Sequence, residues 1–434
     1  MSITIQNPAE GIRLIVLPDS DGRFKTASLT VQLLLPLSAD TASEQAILPF
    51  LLRRGSKAYP DFTALKQQLN RLYGAQVTAS VGRVGEAQAL YLQAVCLDDR
   101  YALAGEAIAA QCAELLRGML FEPALEDGVF RAADIEEERR CLIESIRAEI
   151  NNKRRYARTR CEQLLCEGEP FAVSESGTVE GASALTADQI TAAWRRALAT
   201  ARVQLIYQGS GDGEAVAAPF IRGFAAIDRH PADLPVVRRP HEGAVRELEE
   251  QMAVAQSKMV MGLRCSASAG EQDTPALRMA NALFGGTAFA MLFRTVREKL
   301  SLCYYCSSSF DRLKGVGLID SGVEADKIPA ARAEILRQFD LLKAGEFTDA
   351  DLEDTRRFLI SQFLTTEDLQ SSRAGWYVTQ ALSDTIQTPQ EAADEVAAVD
   401  RARVIAAANT LQLACEYRLM PDGGAAEEGD ESHE

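Results

Sequence analysis

Apolar residues recur along this chain with two different periods, and the alternation of those periods sets out its elements. Ile12, Leu14 and Val16 alternate as in a half-buried strand, as do Leu29, Val31, Leu33 and Leu35. Helical spacing follows at about Thr41 to Arg54 and, after Pro60, through Leu65, Leu69 and Leu72. Val77 to Val81 and Ala87 to Val95 form a predicted hairpin, with Gly82 and Gly85 near its turn. Longer helices are predicted at about Tyr101 to Leu120 and Val129 to Ile150, with another beginning near Arg155. The capping box Thr186-Ala-Asp-Gln189 starts one more, and the strand Val203 to Tyr207 ends this half before Gly209, Gly211 and Gly213.

Asp228 to Gly243 holds three prolines, two histidines and three arginines, the composition of a linker. Beyond it the order repeats: a strand at Lys258 to Leu263, a helix at Ala276 to Leu283 and a break at Gly285-Gly286. A helix then runs to about Lys299, followed by strands at Leu302 to Phe310 and Val316 to Val323. Long helices are expected at Ala330 to Lys343 and Asp349 to Phe363. Two α+β halves in one element order imply an internal duplication, each half a mostly antiparallel sheet with helices on one face. The expected division is an N-terminal domain 1–225, a linker 226–243, a C-terminal domain 244–420 and an acidic disordered tail 421–434.

Composition narrows the chemistry. The formal charge is −16, which argues against nucleic acid as a main partner, and six acids sit in the last fourteen residues. No apolar run has the roughly 20 residues of a membrane span, and the opening residues give no expectation of a signal peptide. Nine scattered cysteines fit buried thiols in a reducing compartment, so a cytoplasmic location is expected. There are 3 histidines, His230, His241 and His433, and none lies in a predicted helix. Enzymes that need paired imidazoles are thereby excluded.

The first half resembles the pitrilysin/insulinase family of zinc metallopeptidases, the inverzincins with an H-x-x-E-H helix. The likeness rests on the stretch Ala46-Ile-Leu-Pro49-Phe50-Leu-Leu-Arg-Arg-Gly55-Ser56, aligned to the family's helix by its terminal Gly-Ser. That alignment puts Ala46 and Phe50 at the zinc-histidine positions and Pro49 at the general-base position. Downstream, Glu138-Arg-Arg-Cys-Leu-Ile-Glu144-Ser145-Ile146 matches the family's second segment, with Ser145 at the third ligand position and Glu138 at a supporting glutamate. Catalytic zinc needs three protein ligands and a nearby carboxylate base, which these residues do not offer. No metal or other cofactor is therefore expected. A proline in mid-helix also predicts a bend or a break.

The second half carries Phe293-Arg-Thr-Val-Arg297-Glu-Lys-Leu-Ser-Leu-Cys-Tyr304-Tyr305, similar to the family's L-F-x-x-V-R-E-K-x-G-L-A-Y segment, with Ser301 at its glycine. The resemblance implies that Arg297 and Tyr304 hold substrate, since a guanidinium and a phenol both donate to a carbonyl or oxyanion. Arg297 equally suits the carbonyl end of its helix, and Tyr304 equally suits an ordinary strand position. The likeness is greatest to a zinc-less branch whose members accompany a zinc-bearing sister. It implies an inactive subunit that pairs with that sister and helps bind a peptide substrate in a common chamber. A stand-alone peptide-binding or scaffolding protein is the alternative, and a homodimer in isolation stays open.

Three further features have plainer readings. Cys303 and Cys306, three apart on a strand, are expected to point to opposite faces. Cys161 and Cys166 are expected to be packing thiols. The basic run Lys153 to Arg160 is read as a solvated helical start, with an acidic partner as the alternative. Arg53 and Arg54 follow the degenerate helix. Glu138 and Glu144 read as helix-surface or packing residues rather than acid–base groups.

Overall fold

The strand Thr26–Pro36 buries Leu29, Val31, Leu33 and Leu35 on one side and Ser28, Thr30 and Gln32 on the other, as its alternation requires. It lies inside a six-stranded sheet. A computed structural model describes residues 3–268, 270–383 and 385–422. The described chain divides into two compact units, 1–147 with 173–235 and 367–386, and 148–172 with 236–366 and 387–434.

The first unit's sheet runs in the order Thr4–Ala9, Ile12–Pro18, Arg202–Gly209, Thr26–Pro36, Ala87–Leu97, Gln76–Val84. Only Ile12–Pro18 and Arg202–Gly209 pair in parallel. Helices Leu48–Arg53, Ile108–Phe121, Ala187–Thr200 and Gly213–Ala225 bury their apolar sides against one face of this sheet. The capping box at Thr186 is formed as expected.

The second unit's sheet runs Tyr305–Asp311, Val316–Val323, Ser257–Cys265, Leu411–Pro421, Arg246–Met252, and its last pair is the parallel one. Strand for strand, this matches the order Gln76–Val84, Ala87–Leu97, Thr26–Pro36, Arg202–Gly209, Ile12–Pro18 in the first unit, with identical pairing senses. The duplication is thus visible in topology.

Each sheet also carries one helix on its other face, taken from the opposite half of the sequence. Gln370–Val378 sets Ala374 and Tyr377 against Ile15, Leu17 and Ile206 of the first sheet. Lys153–Leu165 sets Ala157, Cys161 and Leu165 against Val260, Leu318 and Tyr417 of the second. A division at a linker over 226–243 therefore does not describe the two units, because one segment of each half belongs to the other. The apolar residues of these two helices are too few to signal that exchange.

Other departures have local causes. The helix expected over Thr41 to Arg54 is two pieces, Ala42–Ala46 and Leu48–Arg53, with Pro49 in the first turn of the second piece. There its missing N–H leaves no bond unmade. Leu411–Pro421 is a strand, so Pro421 is not part of a tail; residues 423–434, His433 included, lie outside the described residues. The basic run is only partly solvated: Arg154 and Arg155 are exposed, but three of its arginines are paired with acids. Arg154 and Arg158 converge on buried Asp320 at 2.5 and 2.8 Å, and Arg160 Nε lies 2.9 Å from Glu250. Among the described residues, no helix is long and apolar enough to cross a membrane.

Candidate functional site

Glu138 sits on the helix Ala132–Ala148, whose apolar side buries Ile135 and Leu142 and leaves a carboxylate-rich flank over a cleft. That cleft, of about 1010 Å³, lies within the first unit. Its floor and walls are Phe50, Leu65, Leu69 and Leu142, and one side is the strand Gln76–Val84 through Gln76, Val77, Thr78 and Val81. This strand ends the sheet order, so one of its edges is unpaired within the sheet.

The positions that the family resemblance singles out divide here. Phe50 and Ser145 line the cleft, and Ser145 is exposed on the same helix as Glu138. Ala46 and Pro49 are buried in the core instead and do not line it. A methyl group, a phenyl ring and one hydroxyl cannot act as a zinc ligand set, and Pro49 carries no base. Among the described residues, no three His, Cys, Asp or Glu side chains are grouped to hold a metal ion.

A guanidinium holds the acids of the cleft. Arg54 Nε lies 2.7 Å from Asp134, Nη1 2.8 Å from Glu138 and Nη2 3.0 Å from Glu137. Burial works against its charge, but the bond to Glu138 and those to Asp134 and Glu137 outweigh burial and push its pKa up. Arg131 adds a second cation 2.6 Å from Asp134. Glu138, though mostly buried, is neither a loose surface group nor a free base, because its Oε1 accepts from Arg54. The sequence offered Arg54 only as a neighbour of the degenerate helix; its spacing to the acids, 80 residues and more away, carried no signal.

Arg297 and Tyr304 belong to the second unit. The segment Phe293–Lys299 is wound as a π-helix, and the half-exposed Arg297 guanidinium stacks 4.6 Å from the centre of the Phe293 ring. Tyr304 is exposed, one residue before the strand Tyr305–Asp311 rather than on it, and its hydroxyl donates to Glu324 at 3.2 Å. The two side chains thus engage different neighbours. Ser301 between them adopts φ of 50°, the left-handed region that favours glycine. Gly285 is required too, since a Cβ there would lie 2.7 Å from the Ser308 nitrogen.

The thiols correct one expectation. Cys303 precedes the strand, so the two-residue period does not govern it, and its thiol meets that of Cys306. Their mutual hydrogen bond lowers the pKa of Cys303 and raises that of Cys306, and both are buried free cysteines. Cys161 and Cys166 are buried packing thiols, with Cys161 Sγ 3.7 Å from Cys415 Sγ.

Residues 184–359 match the family described as peptidase M16 inactive domain. A curated relative from Bacillus subtilis (strain 168), "Probable inactive metalloprotease YmfF", is 29% identical over 404 residues, covering 93% of this chain and 95% of the relative. A conserved protein from Enterococcus faecalis V583 has a similar structure, with a TM-score of 0.88, 23% identity and coverage of 99% and 100% of the two chains. A protease from Helicobacter pylori gives a TM-score of 0.78 at 14% identity, over 97% and 99%. A peptidase M16 inactive domain from Pseudomonas fluorescens gives 0.74 at 16%, over 97% and 98%. At these identities, the structural likeness speaks for the fold.

Proposed function

We propose that the chain is an inactive member of the peptidase M16 family, a reading supported by its family match and its curated relative, and that it is the non-catalytic subunit of a two-chain peptidase. In this reading a zinc-bearing homologue supplies the metal and the base, and the two chains form a common chamber in which this one helps hold the peptide. One observation supports it above the others: the cleft persists although its zinc chemistry is gone. It keeps an apolar floor and an unpaired strand edge at Gln76–Val84, and Arg54 holds its acids in place of a metal. An extended peptide adds to such an edge through main-chain hydrogen bonds, with alternate side chains entering the cleft.

Arg297 and Tyr304 are assigned substrate contact in the assembled pair. Co-expression with the zinc-bearing homologue and an assay of peptide cleavage tests that role. The reading predicts that Arg297→Ala with Tyr304→Phe raises KM or lowers kcat at least several-fold while the pair still co-purifies. Unchanged cleavage would remove the substrate-holding role.

The strand edge also suits a second reading, a peptide-binding protein without a peptidase partner. Saturable peptide binding by this chain alone, together with failure to associate with any zinc-bearing homologue, distinguishes it from the first.

A further inference from the structure

The second unit contains a smaller cavity, of about 200 Å³, that peptide binding in the first unit does not explain. The duplication locates it. The helices Ala132–Ala148 and Asp349–Thr365 are both 17 residues long, and the positions of Leu142 and Ser145 in the first are those of Leu359 and Gln362 in the second. Leu142 and Ser145 line the cleft of their unit, and Leu359 and Gln362 line the cavity of theirs. Gln76–Val84 and Tyr305–Asp311, the matching edge strands, each contribute a wall. The cavity is thus the second unit's counterpart of the degenerate zinc cleft.

Its chemistry is different. Three carboxylates surround Arg54 in the first unit, whereas two arginines, Arg278 and Arg312, share the walls of this cavity. Asn281 and Gln362 add amides, and Phe310 and Phe363 close the apolar side. Arg278 lies 5.1 Å from the centre of the Phe363 ring. Burial, and then the charge of Arg312, bring the pKa of Arg278 down to about 10, with Glu395 opposing, so it remains a cation at neutral pH. Arg312 is lowered by burial, with Asp311 opposing, and the Asp311 carboxylate accepts from the Lys314 nitrogen at 2.8 Å. Two like charges near each other in a partly dry site repel, and an anion between them relieves that repulsion. The planar fork of a guanidinium matches the paired oxygens of a carboxylate or phosphate.

From this geometry we propose that the cavity walled by Arg278 and Arg312 binds a small oxyanion, a carboxylate or a phosphate, with the amides of Asn281 and Gln362 donating to it. The volume suits a ligand of a few heavy atoms, below the usual range for larger organic ligands.

Thermal unfolding of the full chain is the test, with inorganic phosphate, succinate and sodium chloride compared at matched ionic strength. A ligand held by the native state stabilises it by RT ln(1 + L/Kd), with L the free ligand concentration, so Tm keeps rising with ligand concentration above Kd. Phosphate, succinate or both are expected to raise Tm with the logarithmic concentration dependence of a single site while chloride does not, and the stronger of the two identifies the source of the oxyanion. Arg312→Gln removes one charge-assisted pair and is expected to weaken binding roughly tenfold. Arg278→Lys keeps the charge and loses the fork, so it serves as a second variant with the same expected direction. An equal rise with chloride overturns the proposal, as does no rise with either oxyanion, or a dissociation constant unchanged in both variants.

Discussion

Arg54 shows how a single guanidinium organises the acids of a cleft. Glu138 is mostly buried; Arg131 also pairs with Asp134, while Arg54 reaches both acids and supplies the counter-charge of Glu138. Arg54→Ala should therefore destabilise the chain by about 2–3 kcal/mol, because it leaves a mostly buried carboxylate unpaired. Urea unfolding measures this, and a change within about 0.5 kcal/mol would mean that water already satisfies those acids. Glu169 in the second unit makes a pH-dependent contribution. Burial raises its pKa, but hydrogen bonds from Lys314 and Arg264 outweigh burial and hold it below the ordinary glutamate value of 4.5. A depressed folded pKa stabilises above the unfolded value and loses that contribution as pH falls through the folded one. Urea midpoints from neutral pH down to about pH 3 should fall in the wild type, and Glu169→Gln should flatten that acid limb. At this scale the family resemblance implied zinc and base positions at Ala46, Pro49 and Phe50. It did not expose Arg54, Asp134 and Glu138 as one cluster, because folding alone brings them together.

Elements were legible where one face is apolar and the other polar. The alternation of Leu29 to Leu35 and the box at Thr186 predicted Thr26–Pro36 and Ala187–Thr200 directly. The strand Arg246–Met252 was not legible, because an edge strand of mostly charged residues lacks that contrast. Gly213–Ala225 was hidden by its glycines and by Pro219. The exchanged helix Gln370–Val378 was hidden by its polarity, although it seats Tyr377 with no exposed surface on Ile15, Leu17 and Ile206. Its contribution is testable: Tyr377→Ala should cost about 3–5 kcal/mol, measured by chemical denaturation, as for other large side chains removed from a core. A loss under about 1 kcal/mol would show that this helix merely rests on the sheet.

For the whole molecule, the exchange of helices means that neither half of the sequence is a folding unit. Fragments 1–225 and 244–434, produced separately, should be insoluble or partly unfolded, because the first lacks Gln370–Val378 and the second lacks Lys153–Leu165. Heteronuclear NMR of each fragment tests this, and a dispersed spectrum from either alone would count against it. Composition spoke to this scale from the start, since none of the 3 histidines lies in a helix predicted from the sequence. The central claim, that the chain lends structure and not catalysis to a peptidase, is tested most directly by zinc content and peptide cleavage of this chain, the zinc-bearing homologue and their mixture. The account predicts one zinc per pair, no cleavage by this chain alone, and cleavage by the mixture well above that of the homologue alone. Zinc-dependent cleavage by this chain alone, or a homologue whose activity does not change on mixing, would contradict it.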